Sequence, residues 1–463
     1  MNVESSVAIQ RSLIEAYASR RTEPPWMVDR RAEALRLFQE TPPPQWDRTD
    51  LSQFDVGAYL QKLRRELETP QEAFPPVDLT GPAADGSALP AAVAGSLREL
   101  PAGGAVIAHV APGAGGPVRT LRWIDPELQR RGVRLLSLQE ALATHPEVVR
   151  SHFMTKAVLP VHGKFQALHE AAWDIGTLLY VPGGVQLEQP VQIVTWMDAG
   201  RALLFPHTLI VLDDEARVCV VESQISPDSD AAPEELPPLV VGAVEIVAGP
   251  ASRIDYVSLQ TWGRRVWSFT NRRAVLEKDS RVEWILGEFG CGLTRGEFES
   301  ALQGPGSASH SVLVFFADRS QHLDLLNSMD HRGTHTESDI VARGVLNGQA
   351  RGIYRAVTHI RSGARESGAY QKGNILVLSP EARADANPSV VVEESEVQRA
   401  GHAATVGQVD REQLFYLMSR GLPEKMAIRL IVEGFLQPVL DRIPVESVRE
   451  RIRQIVAAKL EAA

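Results

Sequence analysis

The sequence has little cysteine and no long apolar segment, and each shortage excludes a class of protein. Cys219 and Cys291 are the only cysteines in 463 residues, so a disulfide framework or a cysteine-rich metal site within this chain is hardly possible. Apolar stretches stay below the roughly 18 uninterrupted residues that a membrane span needs. The amino terminus also lacks the apolar core of a signal peptide. These features predict a soluble cytoplasmic protein in a reducing compartment.

Basic residues are outnumbered, and the common catalytic motifs are missing. The chain carries 48 Lys and Arg against 58 Asp and Glu, a formal net charge of -10. It has no long basic run to neutralise a phosphate backbone, which argues against a nucleic-acid partner. The sequence contains no GxxxxGK[ST] phosphate loop, no GxSxG elbow and no HExxH helix. These absences predict that the chain hydrolyses no ATP itself, and they disfavour an enzyme without excluding one.

Short β-branched runs broken by Gly, Pro, Asp and Asn fill the chain from about residue 164 to 408. This region is far too long for one ordinary sheet. A motif of apolar strand, short turn and second apolar strand recurs in it six times, beginning at Leu209, Val244, Ala274, Ser300, Gly344 and Ile375. Irregular spacing suits a solenoid, in which each coil contacts only its neighbours. The repeats therefore predict a mainly β protein built on a parallel β-solenoid.

Four regions are predicted along the chain. Residues 1–71 form an N-terminal helical region, and residues 72–163 combine an Ala, Gly and Pro-rich linker with a small α/β element. Ser137 and Glu140 fit a capping box at the start of a helix in that element. The solenoid occupies 164–409 and a C-terminal helical region 410–463. Because an open terminal coil exposes unpaired backbone groups, the C-terminal helices are expected to close the solenoid.

Few individual residues suggest chemistry. Histidines are denser between His310 and His359, but carboxylate or thiolate co-ligands at fixed spacing are absent, so solvated or hydrogen-bonded side chains are favoured over a metal site. Cys219 and Cys291 are interpreted as small hydrophobes. His402 stands between Gly401 and Ala403, which leave its imidazole uncrowded. On site physics alone a structural role remains the more frequent one for such a histidine.

Three segments carry a resemblance that covers nearly the whole chain. They are EPPWMVDRRAEALRLFQETPPPQW, GKFQALHEAAWDIGTLLYVPGGVQLEQPVQIV and GHAATVGQVDREQLFYLMSRGLPEKMAIRLIVEGF. In this order, with the turn-rich repeats between them, they resemble the SufB/SufD family of iron-sulfur cluster assembly scaffold proteins. The resemblance implies a right-handed parallel β-helix between helical regions. It also implies a complex with a SufB protein and the ATPase SufC.

Particular positions favour the SufD type within this family. Gln224 stands where SufB proteins typically carry a cysteine, and Leu417 stands where some of them carry another. Ala400 replaces a cysteine that many SufD proteins have, while His402 is retained. The resemblance implies that His402 faces SufB and is a metal ligand for a transient iron-sulfur cluster, later transferred to apoprotein acceptors. It implies SufC docking on the helices from about Asp410.

Three alternatives remain open from the sequence. A SufB-type paralogue would be the primary acceptor of cluster and sulfur. A β-helix carbohydrate-active enzyme would gather carboxylates on one face of the solenoid, and the candidates for that role are Asp318, Asp324, Asp330 and Asp339. A purely structural interaction protein would pair through its edge strands, and His402 would then be inert.

Overall fold

A β-solenoid of about eight turns forms the body of the protein, with helices before and after it. The computed structural model describes residues 11–52, 54–68, 76–79, 90, 93–94, 104–113, 116–228 and 236–461. The predicted mainly β solenoid between helical regions is confirmed. Most of the linker sequence GPAADGSALPAAVAG lies outside the described residues.

Two sheets face each other across the solenoid interior. Among the described residues, one has eleven strands in the order β1-β3-β2-β6-β9-β11-β13-β15-β17-β19-β21, and the other has nine in the order β20-β18-β16-β14-β12-β10-β8-β5-β4, with β7 beside β10. All neighbours are parallel except β2 with β3 and β4 with β5. The strands are Val77–Asp78, Ala105–Ala111, Arg119–Ile124, Arg134–Ser137, Ile175–Val181, Val191–Met197, Leu203–Leu204, Pro206–Leu212, Arg217–Ile225, Leu239–Ala248, Arg253–Thr261, Trp267–Leu276, Arg281–Glu288, Leu293–Leu302, Ala308–Ala317, His322–His331, Glu337–Leu346, Arg351–Ile360, Ser367–Val377, Arg383–Val392 and Val397–Gln408, numbered β1 to β21.

The helices α1 to α10 are Arg11–Arg20, Pro25–Glu40, Val56–Glu68, Pro126–Arg130, Leu138–Thr144, Pro146–His152, Lys164–Ala172, Arg411–Ser419, Glu424–Leu440 and Glu446–Glu461. Their ends follow local signals in the sequence. The hydroxyl of Ser137 accepts the backbone N–H of Glu140 at the start of α5. Gly421 adopts a positive φ of 89° just beyond α8, as expected for a glycine that ends a helix.

Strand alternation divides the apolar residues between the interior and the two outer faces. Alternate residues such as Ile246, Trp284 and Leu313 fill the interior between the sheets, and the residues between them point outward. Each fully buried large side chain stabilises the fold by about 1.5–3 kcal/mol. Several turns between strands place a non-glycine residue in the left-handed region, for example Glu215 and Ala251. These turns fix where each strand ends.

Helices cover the outer face of each sheet. The N-terminal helices and α7 pack on the face of β8, β10 and β12, where Phe38, Leu168 and Phe269 share one apolar cluster. The guanidinium of Arg31 is fully buried there and pairs with Glu23 at 2.7 Å. On the other sheet, α9 and α10 cover the outward residues of the odd-numbered strands from β11 to β19. The C-terminal helices therefore lie along the side of the solenoid.

A row of three buried ionisable groups joins α7 to the solenoid. Nδ1 of His169 lies 2.8 Å from the carbonyl oxygen of Val241, and its Nε2 lies 3.0 Å from Nδ1 of His207. Nε2 of His207 lies 3.2 Å from Oε2 of Glu245. Burial raises the pKa of Glu245 to about 8 and lowers the pKa of each histidine to about 3. Both imidazoles of the row are therefore uncharged near neutral pH.

Candidate functional site at the open end of the solenoid

The last coil of the solenoid is open. Among the described strands, β20 pairs only with β18 and β21 only with β19. On the interior face, Val392 is 41% exposed and Val406 48%, whereas their ladder neighbours Ile360 and Ile375 are 0% and 3% exposed. The expected closure by the C-terminal helices is wrong, because α9 and α10 bury their apolar stripes on the outer face of the sheet. This end of the interior is therefore accessible.

His402 lies on this open coil. It belongs to β21 and pairs in the ladder with Gln371 of β19. Parallel neighbours present their side chains on the same face, so the buried Gln371 indicates that His402 is on the interior face of its strand. The imidazole is exposed, and no hydrogen bond or ion pair joins it to another described residue. An imidazole in this position is available to a ligand or a partner chain.

The denser histidines do not come together as a metal site. No group of three or more His, Cys, Asp or Glu side chains suited to a metal ion occurs in the described part of the chain. Most have separate partners: His310 contacts Glu283, His322 contacts Thr49, His331 contacts Thr336 and Ser338, and His359 contacts Glu393. His335 occupies a turn with a φ of 57°. These contacts agree with the interpretation as hydrogen-bonded side chains.

Neither cysteine is an activated thiol. Cys219 is half-buried on β9, and burial followed by the charge of Asp255 raises its pKa to about 12. Cys291 is fully buried, and burial raises its pKa further. Gln224 lies in the solenoid interior, where its Oε1 accepts a hydrogen bond from Arg272 at 3.1 Å. A thiolate nucleophile is therefore not provided at any of these three positions near neutral pH.

A second exposed surface lies on the C-terminal helices. The side of α8 and the first half of α9 expose large apolar side chains, which are Phe415, Tyr416, Met418, Met426 and Leu430. Helix α8 has no buried residue. We call these five residues the helical apolar surface. Large apolar side chains exposed on two helices that contact each other make a candidate interaction site.

One buried and one exposed ion pair join the last two helices to the solenoid. The ammonium group of Lys459 on α10 pairs with Asp318 and lies 2.7 Å from Oε1 of Gln321. Arg442, just after α9, pairs with Asp339 of β17 at 2.8 Å. These contacts hold α9 and α10 against the sheet, whereas α8, which carries three of the five residues of the helical apolar surface, buries no side chain.

The four aspartates considered for a sugar-binding groove are all in ion pairs. Asp324 and Asp330 lie on β16 of one sheet, whereas Asp339 lies on β17 of the other. Buried Asp324 pairs with Arg295 and Arg355 and accepts the hydroxyl of Thr49, and Asp330 pairs with Arg332 and Arg361. These carboxylates do not share a groove, and each forms an ion pair with a Lys or Arg that gives it a structural role.

Comparison with known proteins agrees with this architecture. Residues 195–435 match the family described as "SUF system FeS cluster assembly, SufBD core domain", and residues 124–193 match the "SufBD protein N-terminal region". The chain belongs to the SufB/SufD family. The iron-sulfur cluster assembly protein SufD of Bacillus subtilis is 29% identical over 468 aligned residues, covering 100% of both chains. An iron-sulfur cluster assembly SufBD family protein of Staphylococcus epidermidis is 28% identical, covering 97% of this chain and 93% of the relative.

Membership of the SufB/SufD family places the protein in iron-sulfur cluster assembly. Its family names indicate a scaffold-type assembly protein. In the described residues, no helix has both the length and the apolar character to cross a bilayer. Sequence reasoning singled out His402 but not the individual residues of the helical apolar surface. The sequence feature that could have indicated this surface is the presence of Phe415 and Met418 in α8, a helix too short to bury an apolar stripe.

Proposed function

We propose that this chain is the SufD-type subunit of a complex with a SufB-type chain and the SufC ATPase, on which iron-sulfur clusters are assembled. The observation that carries the proposal is the open terminal coil with the exposed His402. An uncovered coil offers two parallel strand edges and the apolar side chains Val392 and Val406 to a second solenoid. A SufB-type chain paired there would face His402.

His402 is proposed as a ligand of the nascent cluster, which is cargo for apoprotein acceptors. Imidazole is a borderline ligand that binds iron, and this ring has no competing partner among the described residues. The neighbours of His402 on the same face of β21, Ala400 and Ala404, are small and leave room for a cluster beside it. Gln224 supports the SufD type, because no thiol is available there to accept sulfur.

The helical apolar surface is proposed as the SufC docking site. Its exposed side chains fit insertion of a helix into a groove, and Phe415 is 73% exposed. Because α9 and α10 pack on β11 to β19, movement of bound SufC on ATP binding would be passed to the solenoid. ATP hydrolysis would come from SufC, and this chain would remain a non-catalytic scaffold in the cytoplasm.

The test is anaerobic co-purification of this chain with SufB and SufC from the same organism, followed by iron and sulfide analysis. We expect a stable complex whose cluster content falls about tenfold or more with His402→Ala. His310→Ala is the matched control, since His310 lies on the outer face of β15. Failure to bind either protein would refute the assignment, and an unchanged cluster content in His402→Ala would remove the ligand role.

The docking site has a separate test. Phe415→Ser should abolish capture of SufC while leaving SufB bound, because the residue makes no buried contact in this chain. Gln413→Ala on the same helix is the control and should bind SufC normally. Equal SufC binding by Phe415→Ser and the parent chain would place the docking site elsewhere.

A further inference from the structure

Gln371 has an unusual environment just below the open coil. Its side chain is 1% exposed. The amide nitrogen donates to the carbonyl oxygen of Ser389 at 3.1 Å and to the hydroxyl of Thr358 at 2.5 Å. Because a carbonyl oxygen only accepts, the bond to Ser389 fixes which end of the amide is nitrogen. Oε1 is thus an acceptor without a partner among the described residues.

A buried acceptor without a partner destabilises the fold, because it has lost its hydrogen bonds to water. Such a group calls for a donor, and none of the described residues supplies one. The ladder places His402 next to Gln371, one strand further along on the interior face, at a strand spacing of about 4.8 Å. The two side chains are therefore neighbours on the open side of Gln371.

A histidine that binds a metal through one ring nitrogen nearly always donates its other N–H to a neighbouring acceptor. We propose that Gln371 is a positioning residue whose Oε1 accepts that N–H when His402 binds iron at the open coil. The bond selects the tautomer of His402 and orients its free nitrogen toward the partner chain. This inference rests on the proposed ligand role of His402.

The experiment measures cluster formation on the complex of this chain with SufB and SufC at graded concentrations of ferrous iron. We expect Gln371→Leu to raise the half-saturating iron concentration about tenfold or more while the final cluster content is retained. Gln371→Glu, protonated at this buried position, keeps both a donor toward the carbonyl oxygen of Ser389 and an acceptor oxygen, so it should restore the half-saturating concentration to within a few-fold of the parent value. His402→Ala should instead lower the final cluster content.

Thr358→Val separates positioning from structural support. It removes one anchor of the Gln371 amide but leaves Oε1 in place, so thermal stability should fall without a shift in the iron dependence. If Gln371→Leu does not yield a folded complex, Gln371→Met is measured against the same criteria.

The positioning role of Gln371 is overturned if Gln371→Leu leaves the half-saturating iron concentration unchanged. It is also overturned if Thr358→Val shifts that concentration equally. Unchanged cluster content in His402→Ala overturns the proposed ligand role instead, so the two failures are distinguishable.

Discussion

The buried row of His169, His207 and Glu245 should make stability depend on pH in a defined direction. The carbonyl of Val241 requires a proton on Nδ1 of His169. Neutral His169 then accepts from Nδ1–H of His207, and Nε2 of His207 carries no proton. That nitrogen lies 3.2 Å from Oε2 of Glu245, and two unprotonated acceptors this close would repel each other, so the contact favours a protonated carboxyl group. The raised pKa of Glu245 fits this arrangement.

The sign follows from proton binding. Near pH 6 Glu245 is protonated in the folded chain, with a pKa of about 8, and ionised in the unfolded chain, where its pKa is about 4.3. The folded state therefore binds more protons, and stability is lost as the pH rises through the folded pKa. One proton is worth about 1.4 kcal/mol per pH unit. Allowing for half-titration at pH 8, the loss from pH 6 to pH 8 is about 2 kcal/mol.

Glu245→Gln isolates this effect. The amide remains neutral and still donates toward Nε2 of His207, while the lost acceptor for the backbone N–H of Met154 adds a cost that does not vary with pH. Urea unfolding followed by tryptophan fluorescence should show the parent chain losing about 2 kcal/mol relative to the variant between pH 6 and pH 8. Glu147→Gln, at an exposed site on α6, is the control. Its free energy of unfolding should differ from that of the parent chain by the same amount at pH 6 and pH 8. A constant difference between the parent chain and Glu245→Gln would refute the protonated row.

Three further outcomes are expected. Lys459→Met leaves buried Asp318 with less compensation and should cost about 3 kcal/mol in urea unfolding, whereas an unchanged midpoint would contradict the anchoring role. Val406→Asp should weaken SufB binding in pull-down experiments with little change in melting temperature, since the side chain is 48% exposed; equal binding would exclude this edge. Cys219 and Cys291 should react slowly with iodoacetamide at pH 7.5 because burial raises their pKa, and rapid labelling of the folded chain would contradict this.

The repeat pattern was sufficient for the solenoid but incomplete in detail. The motifs beginning at Leu209 and Gly344 correspond to strand pairs around tight turns. Strand β16 belongs to none of the six motifs, because it carries Asp324 and Asp330 among its apolar residues. Those charges have partners on other coils, which sequence spacing does not reveal. The polar outward residues thus obscured a strand whose interior residues, such as Leu323 and Leu325, are apolar and buried.

The position of the C-terminal helices could not be derived from their own pattern. The stripe of Val448, Ile452 and Lys459 indicates that one face is covered, but the same stripe would fit an end cap or a side face. The outward residues of β11 to β19 decide between them, because Val257, Val314 and similar side chains form a matching apolar surface. Recognising that match requires knowing which strand faces point outward. The family resemblance singled out His402, whereas its neighbour Gln371 can be identified only from the register of the strand ladder.

The open coil also has a consequence for the synthesis of the protein. The bare edges of β20 and β21 are complete as soon as the solenoid folds, and no later segment in the described chain covers them. Molecules made in excess of their partner would keep these strand edges exposed, and such edges can template aggregation. Balanced production of the two chains would shorten that exposure, so co-expression should raise the soluble yield of this chain.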